Sequence, residues 1–342
     1  MKTKELLGVL TRFKTEAGSF FLNRGTATAI NLLGLSKIKK YEKEYRLMQA
    51  DLKKAEKSFK PSNLWQIINV EFRDIMTIHG VENFKDHYTY RHFSAYSPDN
   101  PRIFEAMVWQ YYQNIQKRDV LGLLKKIEEP EIGGRGDIVM INGKRLSFDL
   151  LQSIDEFYSI YETSAINENT ENIIMELGSG YGRLAFVFLK ALPNSHYVIL
   201  DLPESLLLAQ FYLSNAFPKI SMSTYEQTRE IKNVSRNVLK KKRLWFFGAM
   251  KFPEFENNAT DVFVNIYSLQ EMEKQQLKNY LRIASEKTAK VVYLKQHFIE
   301  NNPINNEKIL EKYYRLPDGW KIIYSRTSNT YLHCFEKAFR KM

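Results

Sequence analysis

A glycine-rich turn between two apolar runs constrains the fold more than any other feature of the sequence. Residues 172–213 are NIIMELGSGYGRLAFVFLKALPNSHYVILDLPESLLLAQFYL. The apolar runs at 173–175 and 197–200 are short and unbroken, as in strands that a parallel sheet buries on both faces. Between them, the turn at 178–182 leads into a helical pattern at 183–191. This unit predicts an α/β fold with a doubly wound, mostly parallel sheet, whose ligand lies at the carboxyl ends of the strands.

Acidic residues on both sides of the turn narrow the class of ligand. The alternating glycines let the backbone turn sharply and pass close to a bound molecule. Asp201 stands 23 positions after Gly178, where a carboxylate can accept hydrogen bonds from ribose hydroxyls. NAD would also fit a glycine-rich turn followed by a carboxylate at this distance. However, the dinucleotide fingerprint requires its third glycine at the position that Arg183 occupies here. Glu176, at the end of the first strand, suits the cationic end of a nucleoside that carries an amino acid.

Two later segments extend the predicted sheet. DVFVNIYSLQEM contains a strand at 262–266 with polar residues after it, and WKIIYSRTSNTYLHCFEKAF contains two alternating strands about a Ser328-Asn329 turn. The third strand is either 220–224 or 244–248.

An acidic residue followed by alternating glycines, together with a terminal antiparallel hairpin, resembles the class I S-adenosylmethionine-dependent methyltransferases. The resemblance implies a seven-stranded sheet and S-adenosylmethionine as the cofactor.

The same resemblance implies a set of cofactor-binding residues along the first two strands and the fourth. They are Glu176, Gly178, Ser179, Gly180, Tyr181, Gly182, Asp201, Leu202 and Ser268.

Two motifs bear on the methyl acceptor. Asp201-Leu202-Pro203 is similar to the Asp-Leu-Pro of O-methyltransferases that act on phenols, where a His-Asp pair after the fourth strand holds the base. Gln270 and Glu271 take those positions here, and a glutamine cannot accept a proton near neutral pH. The stretch 268–272, together with the Asp-Leu-Pro-Glu turn at 201–204 and the helical segment at 143–160, is more similar to sugar O-methyltransferases associated with bacterial surface polysaccharides. This resemblance covers roughly residues 130–340. This implies a sugar hydroxyl as acceptor, free or on a sugar nucleotide, with a phenolic or other small-molecule hydroxyl as the alternative.

Two residues are candidates for the catalytic base, because a sugar hydroxyl is a weak acid whose proton needs an acceptor. Glu271 follows the fourth strand and His297 follows the fifth. The alternative for Glu271 is a helix cap, and for His297 a surface or hydrogen-bonding role. A divalent metal could assist, but the sequence contains no cluster of His, Asp and Glu with ligand-like spacing, so no metal ligand is predicted.

The net charge is concentrated at the amino terminus. The chain carries 50 Lys and Arg against 39 Asp and Glu, a net charge of +11, whereas residues 1–60 alone carry 14 against 6, or +8. A basic arm at 1–60 is therefore predicted, followed by a mainly helical cap and acceptor region at 61–170 and the cofactor-binding domain at 171–342. Nucleic acid is not the expected partner, although RNA binding or RNA methylation through the arm is an alternative. Peripheral membrane contact through the arm is another.

The sequence predicts a cytoplasmic protein. Cys334 is the single cysteine, so an intrachain disulfide cannot form. Charged residues interrupt the apolar positions of the first 22 residues, unlike a secretory signal. No apolar stretch approaches the roughly 18 residues of a membrane span.

Overall fold

The computed structural model describes residues 39–86, 101–134, 137–164, 166–301, 307–329 and 331–342. Its main feature is an eight-stranded sheet. The strands of this sheet are β3 (Ile173–Leu177), β4 (His196–Asp201), β5 (Met222–Ser223), β6 (Leu244–Gly248), β7 (Thr260–Ile266), β8 (Thr288–His297), β11 (Trp320–Thr327) and β12 (Cys334–Lys341). Their order across the sheet is β11-β12-β8-β7-β3-β4-β6-β5. Two small hairpins pair β1 (Val139–Ile141) with β2 (Lys144–Leu146), and β9 (Ile299–Asn301) with β10 (Lys308–Leu310).

The central strand β3 pairs in parallel with β4 on one side and with β7 on the other. From β3 the chain runs outward through β4 to β6, then returns to β7 and continues outward to β8. The strand order thus reverses between β3 and β7, which is where an open α/β sheet leaves a crevice for a ligand. The antiparallel pairs β8–β12 and β12–β11 close the other edge. These features confirm the doubly wound, mostly parallel sheet with a terminal antiparallel hairpin.

The two candidates for the third strand both form strands, in different places. Residues of β6 pair with β4, so β6 is the third strand of the parallel series. The two-residue strand β5 pairs with the start of β6, and it adds an eighth strand at the edge, one more than the seven that the resemblance implies.

Helices cover both faces of the sheet, which explains why its central strands are buried and mainly apolar. The longer helices are α1 (Glu42–Lys54), α2 (Asn63–His79), α3 (Pro101–Gln116), α5 (Phe148–Ser164), α6 (Arg183–Ala191), α7 (Pro203–Ala216) and α10 (Lys274–Lys287), and the one-turn helices are α4 (Leu123–Lys126), α8 (Tyr225–Thr228) and α9 (Arg236–Leu239). Ile174 of β3 packs in the core with α2, α3, α5, α6 and α7, whereas its neighbours Ile173 and Met175 pack on the opposite face with α10. Every residue of β3, β4, β6 and β7 is buried.

The described part of the amino-terminal region packs directly on the sheet domain. Tyr45 of α1 donates a hydrogen bond from Oη to Oε1 of Glu204 in α7 at 2.6 Å. Asp51 of α1 pairs with Arg229 at 2.8 Å. Most of the predicted basic arm, residues 1–38, lies outside the described residues, and the division into three segments stays a prediction. Among the helices that the structure describes, none is both long and apolar enough to cross a membrane.

Candidate active site

A cavity of about 470 Å³ lies at the carboxyl ends of five neighbouring strands, β8, β7, β3, β4 and β6. Seven of the nine predicted cofactor residues line it, together with both base candidates: Glu176, Gly178, Ser179, Gly180, Asp201, Leu202, Ser268, Glu271 and His297. Its volume is in the range of small-molecule sites, about 300–1,000 Å³. Parallel strands bring these separate segments together because all their carboxyl ends meet at one edge.

The first glycine of the turn is required by a close approach of two strand ends. Gly178 has φ +75°, a conformation that favours glycine, and a Cβ at this position would lie 2.3 Å from Oγ of Ser268. Ser268 follows β7, so the contact crosses the point where the strand order reverses. The turn therefore presents bare backbone to the cavity.

Two of the predicted cofactor residues face elsewhere. Gly182 has φ +87° and precedes α6, where a Cβ would lie 2.7 Å from Cδ1 of Leu213. The Tyr181 side chain is buried, its ring is 5.0 Å from that of Phe84, and its hydroxyl donates to Asp149. Neither residue lines the cavity. Their observed contacts are packing contacts of the helix layer, which sequence spacing alone could not distinguish from ligand contacts.

Asp201 joins the end of β4 to the glycine turn. Its Oδ2 accepts hydrogen bonds from the backbone N–H of Gly180 at 3.0 Å and from Oγ of Ser179 at 3.3 Å. Its Oδ1 accepts from the N–H of Leu202 at 2.7 Å. Burial raises the pKa of Asp201 to about 7, although these hydrogen bonds oppose the rise. The carboxyl group thus fixes the turn and still borders the cavity.

Glu176 is the second buried carboxyl group of the cavity. Its Oε2 accepts a hydrogen bond from Oη of Tyr197 at 2.8 Å. Burial raises the pKa of Glu176 to about 8. Arg183 also lines the cavity, but its guanidinium is bonded to Glu156 and Ser153, at 2.7 and 2.8 Å. A cationic ligand beside Glu176 would restore its charged form.

Amide side chains hold the segment after β7 in place. Asn265 donates from Nδ2 to the carbonyl of Leu177 at 2.7 Å, which ties β7 to β3. Gln296 of β8 donates to Oδ1 of Asn265 at 2.7 Å and accepts from the N–H of Gln270 at 3.1 Å. Gln270 in turn accepts from the N–H of His297 at 2.7 Å. Sequence reasoning missed the positioning roles of Asn265 and Gln296, although amides in otherwise apolar strands were a visible signal.

Tyr267 lies in a strained backbone conformation at the cavity wall. Its φ is +59°, which costs a non-glycine residue roughly 1–2 kcal/mol. Its ring is 5.8 Å from the ring of His297 and 6.4 Å from that of Tyr331, and Nζ of Lys295 lies 5.3 Å from its centroid. All but Lys295 line the cavity. Strain of this kind is typical of functional sites, where the surrounding contacts maintain it.

Glu271 projects into the cavity and does not cap the following helix. The capping box of α10 is formed by Glu273 with Gln276, so the alternative interpretation of Glu271 as a helix cap is wrong. Oε2 of Glu271 accepts a hydrogen bond from Nε1 of Trp65 at 2.7 Å. Burial raises the pKa of Glu271 to about 7. A carboxyl group with such a pKa is poised to accept a proton near neutral pH.

His297 ends β8 and is embedded in other polar groups. Its Nδ1 is 2.5 Å from Oε2 of Glu300 and 3.3 Å from Nε2 of Gln270. The rings of His297 and His333 are 4.7 Å apart. Burial lowers the pKa of His297, but hydrogen bonds to Cys334 and Glu300 outweigh this effect and raise the pKa to about 9.

A segment from the amino-terminal region, residues 59–65, forms another wall of the cavity. Phe59, Lys60, Pro61, Ser62 and Trp65 all line it. The backbone carbonyl of Lys60 accepts a hydrogen bond from Gln276 of α10 at 2.9 Å. Ser62 caps α2 by accepting from the N–H of Trp65 at 3.4 Å. The sequence predicts a helical cap and acceptor region from residue 61, but not which of its residues reach the cavity, because the Pro-Ser pair signals a helix start and not where that helix docks.

Comparisons with known proteins give structural likenesses only. No family model and no curated protein sequence matches the chain. Mitomycin 7-O-methyltransferase is 13% identical, with 56% of this chain and 57% of that chain aligned and a TM-score of 0.35. Magnesium protoporphyrin IX methyltransferase from Synechocystis PCC 6803, solved with bound SAM, is 11% identical over 73% of this chain and 100% of that one, with a TM-score of 0.39. An O-methyltransferase family 2 protein from Planctomyces limnophilus, solved with apigenin, is 14% identical over 56% and 59%, with a TM-score of 0.36.

These likenesses concern the path of the chain alone. The aligned part of this chain spans little more than half the length of the mitomycin enzyme, 57%.

Proposed function

We propose that this chain is an S-adenosylmethionine-dependent O-methyltransferase that acts on a sugar hydroxyl. The single observation that carries the proposal is the juxtaposition of Glu176, the bare turn at Gly178 and Asp201 in one cavity at the reversal of strand order. Buried carboxyl groups with raised pKa values favour a ligand that brings positive charge and hydrogen-bond donors. S-adenosylmethionine carries an ammonium group, a sulfonium and a ribose.

The residues of the cavity suit the parts of this cofactor. Asp201 would accept hydrogen bonds from the ribose hydroxyls, Glu176 would pair with the amino-acid end, and the turn at Gly178 would allow close approach. Leu202 and Ser268 border the same space. When bound, the cofactor supplies an electrophilic methyl group. The chain's own task is then to hold an acceptor hydroxyl in line with that group and to remove its proton.

The wall on the β7 and β8 side suits a hydroxyl-rich acceptor. Gln152, Tyr267, Gln270, Glu271 and Tyr331 line it, and between them they offer donors, acceptors and aromatic faces. A sugar presents hydroxyls that need both donors and acceptors, together with C–H faces that pack on aromatic rings. This composition supports a sugar acceptor over a flat phenol. A place in surface polysaccharide or glycoconjugate synthesis is part of the same proposal.

Glu271 is the proposed general base. It borders the cavity, Trp65 orients its carboxylate, and its raised pKa of about 7 matches the operating range of a base. Nδ1 of His297, the other candidate, lies within hydrogen-bond distance of Glu300 and Gln270. In this proposal His297 is not the base.

Calorimetric titration with S-adenosylhomocysteine, run beside NAD, tests the cofactor. We expect binding of S-adenosylhomocysteine alone, and its loss in Asp201→Ala, whereas Glu230→Gln on the surface leaves it unchanged. Binding of NAD instead, or unchanged affinity in Asp201→Ala, would overturn the assignment. A labelled methyl donor offered with sugar nucleotides, simple phenols and RNA then tests the acceptor. Label transfer to sugars is expected, and exclusive transfer to phenols or RNA would replace the sugar assignment.

A further inference from the structure

Three side chains with metal-binding atoms meet at the β8 side of the cavity. They are His297, His333 and Cys334, and their ligand atoms all lie within 4.8 Å of one another. Cys334, the first residue of β12, pairs with His297, the last residue of β8, in the antiparallel ladder. His333 directly precedes β12. The pairing of β8 with β12 therefore brings His297 together with two residues that lie 36 and 37 positions later in the sequence.

We propose that His297, His333 and Cys334 bind a divalent transition-metal ion of the zinc class. Three atoms no more than 4.8 Å apart leave a point within about 2.8 Å of each of them, and Zn–N and Zn–S bonds measure about 2.0–2.3 Å. Shifts of a fraction of an ångström in the side chains therefore complete the coordination. Two imidazoles and a thiolate favour zinc over the harder magnesium and calcium ions.

A carboxylate beside the cluster independently supports metal binding. Oε2 of Glu300 lies 2.5 Å from Nδ1 of His297. Metal-binding histidines commonly bond a carboxylate in this way, because the carboxylate fixes the ring orientation and increases its basicity as a ligand. Cys334 is fully buried, and a buried thiol can serve as a ligand once it loses its proton to the metal.

Two of the three side chains of the cluster border the cavity. His297 and His333 both line the cavity. Zinc sites with three protein ligands keep a fourth position for water or substrate. An ion here would present that position to the cavity, where a hydroxyl oxygen could coordinate and release its proton to Glu271 more readily. This last role rests on the proposed function, whereas the metal site itself does not.

Metal analysis of the full-length protein tests the site directly. After equilibration with Zn²⁺ and removal of free ion, we expect about one equivalent of zinc per chain. His333→Ala and Cys334→Ser should each lower the zinc affinity at least tenfold, whereas the matched variant His79→Ala, at the end of α2, should retain it. Because His333 is exposed, its replacement leaves the fold intact even if Cys334→Ser does not. No zinc above background, or equal retention in all three variants, would overturn the site.

Cobalt substitution tests the ligands and the open position separately. Co²⁺ bound through Cys334 gives a thiolate-to-metal charge-transfer absorption, which Cys334→Ser should abolish and His79→Ala should preserve. Azide, as a small anionic probe, should change the visible spectrum by occupying the fourth position. Absence of the charge-transfer band would contradict thiolate coordination, and a spectrum insensitive to azide would contradict an open site.

Failure of the metal site and failure of the proposed function give different results. S-adenosylhomocysteine binding without zinc binding would refute the metal site and leave the methyltransferase proposal standing. Zinc binding without S-adenosylhomocysteine binding would refute the methyltransferase proposal and leave the metal site standing.

Discussion

Gly178 and Ser268 face each other across the reversal of strand order, so closely that a Cβ on the glycine would lie 2.3 Å from the serine Oγ. The same serine hydroxyl lies 2.5 Å from Nδ2 of Asn265, which in turn donates to the carbonyl of Leu177. The end of β3 and the end of β7 are thereby bound into one unit. Residue 178 therefore has no room for a side chain, at the point of the turn that the proposed cofactor passes.

Gly178→Ala should lower the free energy of unfolding more than an ordinary glycine substitution. An alanine in the left-handed backbone conformation costs about 1–2 kcal/mol. Displacing the Ser268 side chain to make room for the Cβ should add about 1–3 kcal/mol. Gly122→Ala is the matched control, because Gly122 also has positive φ but nothing lies within 4 Å of its Cβ position. Urea unfolding of the two variants measures the difference.

Ser268→Gly, combined with Gly178→Ala, should recover the steric part of this loss but not the backbone strain. Equal destabilisation by Gly178→Ala and Gly122→Ala would show that the contact with Ser268 has no energetic consequence.

Binding of S-adenosylhomocysteine should strengthen as the pH rises from about 6 to 7.5. In the free protein, burial raises the pKa of Glu176 to about 8 and that of Asp201 to about 7, so both groups hold protons at the lower pH. A ligand with an ammonium group and hydroxyl donors favours their ionised forms, so binding releases protons. Titration calorimetry in buffers of different ionisation enthalpy measures the number released.

Glu176→Gln should weaken this binding and reduce the proton release, because the amide cannot ionise. If Glu176→Gln kept the wild-type pH dependence, Glu176 would not be the group that faces the charged end of the ligand.

Turnover should rise with pH through about 7 if Glu271 is the base, because the carboxyl group must first lose its proton. Glu271→Gln should lower kcat by about 10²–10⁴ with S-adenosylhomocysteine binding retained. Glu273→Gln, two positions later at the helix cap, should leave kcat unchanged. Rates over a range of pH, with the acceptor found in the labelling screen, measure the effect.

Trp65→Phe tests the same assignment by shifting the pKa of Glu271 instead of removing its carboxyl group. The hydrogen bond from Trp65 lowers the pKa of Glu271, so its removal should move the rise in kcat to higher pH without abolishing turnover. If the dependence of kcat on pH were unshifted in Trp65→Phe, the group that titrates in this profile would not be Glu271.

The sequence predicted the features of this site that depend on local pattern, and it missed those that depend on tertiary contact. Apolar runs and alternating glycines predict β3, α6 and β4 because burial on both faces leaves a continuous apolar signal. The terminal hairpin follows from alternation about Ser328-Asn329, and β11 and β12 confirm it. Trp65 could not be assigned to the cavity, since its contact with Glu271 spans 206 positions. The cluster of His297 with Cys334 depends on strand register, which no pattern in either strand specifies alone.

Glu156→Gln should destabilise the fold strongly, because it breaks a buried ionic cluster behind the cavity. Glu156 accepts from Nζ of Lys295 at 2.9 Å and pairs with Arg183 at 2.7 Å, and both it and Lys295 are fully buried. Burial raises the pKa of Glu156, but Arg183 and Lys295 outweigh burial and hold the pKa below its usual value. Removing one partner of a buried pair costs about 3–5 kcal/mol.

The matched surface variant is Glu286→Gln, which breaks the exposed pair with Arg282 and should cost less than about 1 kcal/mol. Unfolding in urea at neutral pH compares the two variants. Since the ionised form of Glu156 is the one stabilised in the fold, the wild-type advantage over Glu156→Gln should be present at neutral pH and shrink as the pH falls below the usual carboxyl range. A difference that grew on acidification would mean that Glu156 is protonated in the folded protein, and the ionic assignment of the cluster would be wrong.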